Sequence, residues 1–543
     1  MCSFEEAFDR LGIFATRQMQ TDGTPGLALA VTDRERLLHV GTFGCADLAG
    51  QAPVAAETLF EIGSIGKSFA AIILLQLQEE GRVVLTAPVT DYLPWFQVRS
   101  AYEPITLHHL LSHTAGISCG VDFSPEAIYQ IWSLRDSEAT APPGTYFHYS
   151  NLGYKILGHV IERITGERYP DVVQTRIFDP LAMTSAVPAI SHDIRPHLAV
   201  GYAPLFDDRP RLPHHPLVSA TWIEGDTADG SLVMNATDLA TYLRMLLNRG
   251  SYPGGRILSA ESFDLLTSRV IAIGEPDAPR YYGYGLNTEE VAGHVYLGHS
   301  GGMIGYYARI LGDLDTGLGA VVLVNGPGSP GLVARTAVDL LRAAAEGHEL
   351  PELPTTPDDA NANAADFAGK FHSAGQTLTV RADNGQLTLE HEDGAISLVS
   401  YGPDAFLADH PAFDRYLFHF GRDGDRVVEL FHGPSWQVND RYNGPTELDH
   451  PREWLAYPGR YRSHNPWLPI FAVVLRKGEL WQIMPDGADG FDSEQPLIPL
   501  PDGSCRVGRD ERGPERIRFD TIVDGQAIRA NLSGGDYYRV GPA

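Results

Sequence analysis

Cysteine, long apolar runs and a basic leader are scarce or missing in this sequence of 543 residues. The few cysteines are scattered, with no C-x-x-C pair: Cys2, Cys45, Cys119 and Cys505. This pattern excludes a disulfide-dense scaffold and favours buried thiols in a reducing compartment. No apolar run approaches the ~20 residues that are needed to cross a bilayer. The first six residues contain no basic region and no apolar segment, so we expect no signal peptide and a cytoplasmic protein.

Positive charge is also in short supply. The chain has 41 basic and 69 acidic residues, which gives a net charge of −28. This sign disfavours a nucleic-acid partner and an anionic membrane surface. It agrees with a soluble globular protein and with a cationic substrate. We therefore expect a small molecule or a short peptide as the partner, with no nucleic acid and no membrane, and we leave a homodimer open.

The most informative stretch that is present runs from Leu59 to Leu75. After Lys67 it is apolar nearly all the way round, and a helix without a polar face is a buried one. Ser64 and Lys67 have i, i+3 spacing, which puts Cβ atoms ~5–6 Å apart on a helix. An uncompensated lysine there would be costly, so Lys67 is either paired or able to give up its proton. A serine beside such a lysine has what an acyl-transfer nucleophile needs.

Two competing interpretations of this region concern phosphate and zinc. Gly66-Lys67-Ser68 matches the end of a P-loop, but Glu61 stands where the first glycine should be. His109 and His113 have the i, i+4 spacing of a zinc helix, but Leu110 replaces the glutamate of H-E-x-x-H. No further ligand cluster is evident in the sequence. We therefore predict no metal and interpret both histidines as structural.

A third alternative places the nucleophile at Ser300. The stretch from Gly298 to Gly302 matches G-x-S-x-G, the nucleophile elbow of α/β-hydrolases. An elbow needs a strand before the serine and a helix after it. The residues after Ser300 are glycine-rich and then typical of a strand, so this alternative is disfavoured.

Periodicity along the chain predicts an α+β fold for the first 347 residues. Early strands, a helical middle and late strands favour one sheet that is assembled from both ends, with helices packed on it. The loop with Tyr149 and Asn151 stands just before an amphipathic helix, where functional residues are often mounted. The predicted elements are a hairpin over 26–41, helices after Ser64, over 106–116, after Asn151, over 238–247 and over 332–345, and strands over 294–297, 306–311 and 318–324.

The composition changes after Glu346. Proline, threonine, aspartate, asparagine and alanine predominate up to Asp366, which indicates a linker. Beyond it, short alternating strands and turns recur. The sequence around 367–387 parallels the sequence around 457–480, which predicts a duplicated small antiparallel β-barrel. The predicted domains are 1–347 (hydrolase), 348–366 (linker), 367–448 (first barrel) and 449–543 (second barrel).

Three motif groups occur in one order: Ser64-x-x-Lys67, Tyr149-Ser150-Asn151 and His299-Ser300-Gly301. Together with Pro143-Gly144-Thr145 and Gly283-Tyr284-Gly285 they resemble the penicillin-binding protein and class C β-lactamase superfamily of serine hydrolases. The resemblance covers about residues 10–345. It implies an antiparallel sheet with helices, and the layout with two later barrels is similar to that of D-aminopeptidases. No cofactor is implied.

The resemblance also implies roles for individual residues. Ser64 would be the acylated nucleophile, Lys67 and Tyr149 would share the base role, and Asn151 would orient the substrate. The third motif, His299-Ser300-Gly301, would line the cleft at a sheet edge. The backbone N–H groups of Ser64 and Gly302 would form the oxyanion hole, where each donor is worth ~3–4 kcal/mol. Free lysine and tyrosine both titrate near 10, so the sequence leaves open which of the two is the resting base.

One departure from the family pattern bears on the substrate. The usual third motif begins with lysine, and histidine is mostly neutral above pH ~6.5. This disfavours a true β-lactamase or transpeptidase and is similar to the D-aminopeptidases and esterases of the family. We predict a hydrolase of small amides or peptides. The alternatives are a carboxylesterase or acyltransferase with the same site and, less favoured, a non-catalytic ligand-binding protein.

Overall fold

The computed structural model describes residues 3–120, 126–274, 278–355, 363–373, 375–485 and 493–543. They form two compact units. The first comprises residues 3–120, 126–203 and 216–354, and the second comprises 204–215 and the described residues from Thr355 onward. In the described ranges, no helix combines the length and apolarity that a membrane span requires.

The helices alternate with short strands through the first 350 residues. A one-turn 3₁₀ helix, Gly63–Ile65, precedes the second α-helix. The α-helices are α1 (Phe4–Asp22), α2 (Gly66–Glu79), α3 (Val89–Tyr92), α4 (Leu107–Leu111), α5 (Ala127–Ser133), α6 (Asn151–Thr165), α7 (Tyr169–Val173), α8 (Ala236–Leu247), α9 (Ala260–Leu266), α10 (Pro330–Glu346) and α11 (Ala364–Phe367).

A nine-stranded antiparallel sheet forms the centre of the first unit. Its order, β10-β11-β12-β13-β14-β15-β1-β2-β3, places the first strand beside the last, as the sequence predicts for a sheet built from both ends. The strands up to residue 324 are β1 (Gly26–Thr32), β2 (Leu37–Asp47), β3 (Ala52–Pro53), β4 (Phe60–Glu61), β5 (Tyr202–Pro204), β6 (Leu217–Ser219), β7 (Val233–Met234), β8 (Ser251–Tyr252), β9 (Gly255–Arg256), β10 (Ile271–Ala272), β11 (Arg280–Tyr282), β12 (Asn287–Val291), β13 (His294–Met303), β14 (Tyr306–Asp313) and β15 (Gly319–Val324).

Both faces of this sheet are covered by helices. Alternate residues of β1 point to opposite faces, as strand geometry requires. Leu29 and Val31 pack in a core with α1 and α10, whereas Ala28 and Ala30 pack in the larger core with α2, α6 and α8. The small alanine side chains leave room for the helices to lie close to the sheet on that face.

Two closed eight-stranded antiparallel barrels follow, which confirms the predicted fold class. Corresponding hairpins turn at Asn384-Gly385 and Lys477-Gly478, all four with positive φ, consistent with a duplicated unit. The strands are β16 (Gly369–Ser373), β17 (Gln376–Asp383), β18 (Gln386–His391), β19 (Gly394–Gly402), β20 (Ala405–Ala408), β21 (Phe418–Asp423), β22 (Arg426–His432), β23 (Ser435–Val438), β24 (Gly459–Arg462), β25 (Ile470–Arg476), β26 (Glu479–Ile483), β27 (Glu494–Pro499), β28 (Cys505–Val507), β29 (Arg516–Val523), β30 (Gln526–Leu532) and β31 (Gly535–Gly541).

A segment of the predicted hydrolase domain belongs to the second unit. Residues 204–215 are grouped with the barrels, and Arg209 donates to Asp414 at 2.7 Å. Asp207 pairs with Arg462 at 2.6 Å. Leu212 packs in an apolar cluster with Leu407 and Leu417 of the first barrel. These ion pairs and apolar contacts account for the grouping, which sequence periodicity does not reveal.

Two predicted local structures need correction. The helix predicted over 106–116 ends at Leu111, because His113 has a positive φ of 55° and leaves the helical path. The predicted linker contains the short helix α11 at its end, while its residues 356–362 lie outside the described residues.

Candidate active site

The turn that carries Ser64 packs against β13. Residues 294–298 of β13 pair with β12, but residues 299–303 pair only with β14, so the third motif lies at a local sheet edge. A Cβ atom at Gly301 would lie 1.9 Å from the carbonyl oxygen of Ile62. One at Gly63 would lie 2.5 Å from the carbonyl oxygen of Gly302. Only glycine at these two positions permits so close an approach.

Lys67 lies in the first turn of α2 and is completely buried. Its Nζ donates hydrogen bonds to Oγ of Ser64 and to the carbonyl oxygen of Asp229, both at 2.8 Å. The same nitrogen is 4.8 Å from the ring centre of Tyr149 and 5.7 Å from that of Tyr154. The serine and lysine side chains therefore meet, as their i, i+3 spacing predicts.

Tyr149 reaches Ser64 from the loop before α6. Burial raises the pKa of the Tyr149 phenol well above its ordinary value, and the hydrogen bond with Ser64 opposes this rise only in part. Its ring lies 4.2 Å from that of His113, centre to centre. The phenol therefore keeps its proton at neutral pH, so it is not a resting base beside the serine.

Tyr282 links two buried histidines beside this cluster. Its Oη lies 3.2 Å from Nε2 of His113 and 3.2 Å from Nε2 of His299. Because Nδ1 of His113 accepts the N–H of Ser150 at 3.0 Å, the His113 proton is on Nε2 and is donated to Tyr282. The Tyr282 hydroxyl then donates to Nε2 of His299. This leaves the proton of His299 on Nδ1, facing the carbonyl oxygen of Ser300.

Both histidines of this network are neutral. Burial, and to a smaller extent the nearby Lys67, lower the pKa of His299 to about 3. Burial likewise brings the pKa of His113 well below its ordinary value. His299 therefore supplies no cation at neutral pH, and both of its ring nitrogens bind protein groups. Its position contributes to the site by holding the edge of β13 against Tyr282.

The remaining predicted site residues flank this cluster. Asn151 is the first residue of α6, and its side-chain amide makes no hydrogen bond to any residue that the structure describes. Ser300 is exposed, and its Oγ accepts a hydrogen bond from Nη1 of Arg309 at 3.1 Å. β14 rather than a helix follows Ser300, so the elbow alternative lacks its structural context.

Comparisons with known proteins identify the family of this chain. The beta-lactamase family model matches residues 14–345. The chain belongs to the beta-lactamase family. As a member of this family it is a serine hydrolase by fold and superfamily. It is 28% identical over 383 residues to penicillin-binding protein 4 of Amycolatopsis lactamdurans, covering 65% of this chain and 94% of the relative.

The chain is also similar to a fungal hydrolase in sequence and to an archaeal protein in structure. The chain is 29% identical over 389 residues to the unguisins hydrolase of Aspergillus violaceofuscus, covering 63% of this chain and 67% of the relative. The octameric penicillin-binding protein homologue from Pyrococcus abyssi is a structural neighbour with a TM-score of 0.59 and 25% identity. That similarity covers 80% of this chain and all of the neighbour.

A second buried lysine in this family member escaped the sequence analysis. Nζ of Lys155, on α6, donates to Oε1 of Gln130 at 2.8 Å and lies 3.8 Å from Oδ2 of Asp229. Asp229 also offers its backbone carbonyl to Lys67, so one residue contacts both lysines. The available signal was a lysine within the apolar stripe of α6, next to Ile156. No sequence pattern pointed to Asp229, because its partners Lys67 and Lys155 are distant in the chain.

Replacing Lys155 by methionine is expected to destabilise the protein by about 3–5 kcal/mol, because it leaves the mostly buried Asp229 carboxylate without its cation. The double variant Lys155→Met/Asp229→Asn should recover part of this loss. The measurement is the free energy of unfolding in urea. The exposed Lys370→Met is the control and should change stability by less than about 0.5 kcal/mol. A Lys155→Met effect as small as that of the control would contradict the pairing.

Three histidine and aspartate groups in this family member are compact enough to be compared with metal sites: His214/His215/Asp409, His391/Asp393/His410 and His294/Asp313/Asp315. In the first two groups Nδ1 of one histidine accepts a backbone N–H, from Leu212 to His215 and from Ala412 to His410, each at 3.2 Å. A metal-bound histidine normally donates from its other nitrogen instead. His109 and His113 do not form a pair, since Nδ1 of His109 binds Thr106.

Proposed function

We propose that this protein cleaves amide bonds in small peptides or amides through an acyl-enzyme on Ser64, as a peptidase or amidase of the D-aminopeptidase type. The observation that supports this most strongly is the 2.8 Å contact between Nζ of Lys67 and Oγ of Ser64. A buried amine at this distance is the partner that an otherwise unreactive hydroxyl requires. One relative in the comparisons also bears the name of a hydrolase.

In the proposed reaction, Lys67 and Tyr149 act as one unit that must lose a proton before attack. Because the pKa of Tyr149 is raised, that proton leaves from Lys67. The neutral amine then accepts the hydroxyl proton of Ser64 while Oγ bonds to the substrate carbonyl carbon. The Tyr149 hydroxyl passes a proton to the leaving amine as the C–N bond breaks, and it is reprotonated from Lys67.

Water completes the cycle by attacking the acyl-enzyme. Its proton passes to the Lys67 and Tyr149 unit and its oxygen bonds to the acyl carbon. The unit then returns a proton to Oγ of Ser64 as the bond between Oγ and the acyl carbon breaks. In both steps the oxyanion would be stabilised by the backbone N–H groups of Ser64 and Gly302, and Asn151 would orient the substrate amide. The close packing of Gly63 against Gly302 brings these two backbone segments together.

Because His299 is neutral, we expect the protein to prefer substrates with an uncharged acyl group over substrates that carry a carboxylate, such as penicillins. Both ring nitrogens of His299 are occupied, so this residue offers no lysine-like cation for a carboxylate, and the guanidinium of Arg309 is bonded to Oγ of Ser300. This observation fits esters as well as amides, and a carboxylesterase or acyltransferase remains the alternative function.

A substrate panel tests the proposal. D- and L-aminoacyl anilides, short-chain aryl esters and a chromogenic cephalosporin are assayed side by side for kcat/KM. We expect the aminoacyl anilides to be cleaved, with cephalosporin turnover at least a hundredfold slower. Ester cleavage without anilide cleavage would favour the alternative. Rapid cephalosporin turnover would overturn the substrate ranking.

A further inference from the structure

A cavity of about 220 Å³ lies in the first unit, between the segment Arg195–Gly201, the segment Ser219–Ile223 and the start of β14. Its wall includes Met303, which directly follows the proposed oxyanion donor Gly302. Most of the wall is apolar or aromatic, with Trp222 as its largest side chain. A cavity of this size is large enough for several waters or for a small organic group.

One wall residue, Glu61, is unusual for such a site. The residue is only 5% exposed, and its carboxyl group makes no hydrogen bond or ion pair with any residue in the described part of the chain. Burial raises its pKa from 4.5 to about 8. A buried polar group without a partner costs free energy, so a carboxyl group left in this state beside a cavity indicates that the cavity supplies its partner.

The two other ionisable residues of the wall do not pair with Glu61. The phenol of Tyr306 donates its proton to the carbonyl oxygen of Ala199 at 2.6 Å. Arg195 is exposed, and its guanidinium lies 5.2 Å from the ring centre of Trp222. The buried carboxyl group of Glu61 is therefore the only acid in the described wall, and no described wall cation neutralises it.

We propose that this cavity binds a primary ammonium group with a small hydrocarbon body, and that Glu61 receives the ammonium. The apolar wall accommodates the hydrocarbon, and the carboxylate takes the cation. The net charge of −28 attracts cations to the protein as a whole.

The position of Glu61 connects the cavity with the proposed chemistry and, in this respect only, rests on the proposed function. Glu61 precedes Ser64 by three residues, so their Cα atoms are at most about 11 Å apart. A short peptide spans this distance. The cavity is therefore assigned to the free amino group of the substrate, which makes Glu61 a specificity-determining residue for amine-bearing peptides over neutral acyl groups.

Binding is tested without reference to catalysis. n-Butylammonium chloride and the neutral 1-butanol are titrated into the full-length protein by calorimetry at pH 6 and pH 9, where a primary alkylamine stays protonated. A carboxyl group with a pKa near 8 is about 1% ionised at pH 6 and about 90% ionised at pH 9. We expect the amine to bind at least thirtyfold more tightly at pH 9, whereas the alcohol shows no such dependence.

Glu61→Gln should remove this pH dependence and weaken amine binding at pH 9 at least tenfold. Glu57→Gln, an exposed neighbour, is the matched control and should behave as the wild type does. Amine binding that survives unchanged in Glu61→Gln, equal binding of amine and alcohol, or no amine binding at either pH would each overturn the proposal.

Stability provides a second readout for the same variant. The folded-state pKa of Glu61 lies above its unfolded value, so the folded protein holds an extra proton between about pH 4.5 and pH 8. Stability of the wild type therefore falls as pH rises through this window. The Tm of the wild type should drop relative to that of Glu61→Gln between pH 5 and pH 9. Parallel Tm curves would show that Glu61 is not buried without a partner.

A substrate pair separates this proposal from the proposed function. The ratio of kcat/KM for an alanyl-alanyl anilide to that for its N-acetyl derivative should fall at least tenfold in Glu61→Gln. If the wild type cleaves neither anilide but binds the amine, the proposed function fails and the cavity proposal stands. If both anilides are cleaved with a ratio that Glu61→Gln leaves unchanged, the cavity proposal fails alone.

Discussion

Replacing Ser64 by alanine is expected to lower kcat by at least ~10⁴-fold on the best substrate of the panel. The proposed reaction has no other atom to carry the acyl group, and the loss of an acylated nucleophile typically removes this much activity. Binding of the substrate should survive, because the oxyanion donors and the cavity beside Glu61 do not use the serine hydroxyl. The variant should therefore show a large change in kcat and a small one in KM.

Covalent labelling makes the same prediction specific to one residue. A fluorophosphonate should add its mass to the peptide that contains Ser64 and should label the Ser64→Ala variant at no site in the chain. Ser68→Ala is the matched control from the first turn of α2, since Oγ of Ser68 is hydrogen-bonded to the Ile65 carbonyl and to Tyr242 instead. Labelling of Ser300 in either variant would revive the elbow alternative and contradict the assignment.

Replacing Lys67 by methionine is expected to lower kcat/KM by ~10³–10⁴-fold. Methionine is apolar and of similar length, so it suits a fully buried position but cannot accept a proton from the hydroxyl of Ser64. The variant also removes the hydrogen bonds to Ser64 and to the Asp229 carbonyl. Turnover is measured across pH 5–10. The rise in activity with pH that reflects deprotonation of the Lys67 and Tyr149 unit should disappear from the profile.

Two tyrosine variants test whether Tyr149 shares the base role with Lys67. Tyr149→Phe keeps the ring beside Nζ of Lys67 but removes the hydroxyl, and should cost ~10²–10³-fold while leaving a pH-dependent limb. Tyr154→Phe is the control, because that ring also lies near Nζ while its hydroxyl donates to the Leu111 carbonyl. A Tyr149→Phe loss no larger than that of Tyr154→Phe would refute a shared role for Tyr149.

The neutral histidines have a related consequence for pH dependence. Because burial holds the pKa of His299 near 3 and that of His113 well below 6.5, neither residue should produce a limb near pH 6.5. Activity above pH 5 should therefore follow the lysine and tyrosine unit, the substrate and, for amine-bearing substrates, the ionisation of Glu61. This distinguishes the site from hydrolases in which a histidine is the base.

The sequence alone predicted those features of this protein that depend on neighbouring residues in the chain. The i, i+3 spacing of Ser64 and Lys67 in an apolar helix implied their contact, because helix geometry alone sets that distance. The Asn384-Gly385 and Lys477-Gly478 turns marked equivalent hairpins of two barrels, because both have glycine at the second turn position, where a two-residue hairpin requires positive φ. The helix predicted over 106–116 ends early, and the cause is not local. The positive φ of His113 accompanies a hydrogen bond that its Nδ1 accepts from the N–H of Ser150, 37 residues away.

Tertiary structure alone decided the electrostatics of the site. The Asp229 carbonyl reaches Lys67 from 162 positions along the chain, and Tyr282, the partner of His299, reaches His113 across 169 positions. Neither link has a periodic signal, because hydrogen bonds between distant segments depend on how the sheet and helices pack. The sequence therefore predicted which residues are the candidates for the chemistry, while burial in the fold determined that His299 is neutral, that Tyr149 keeps its proton and that Glu61 faces a cavity without a partner among the described residues.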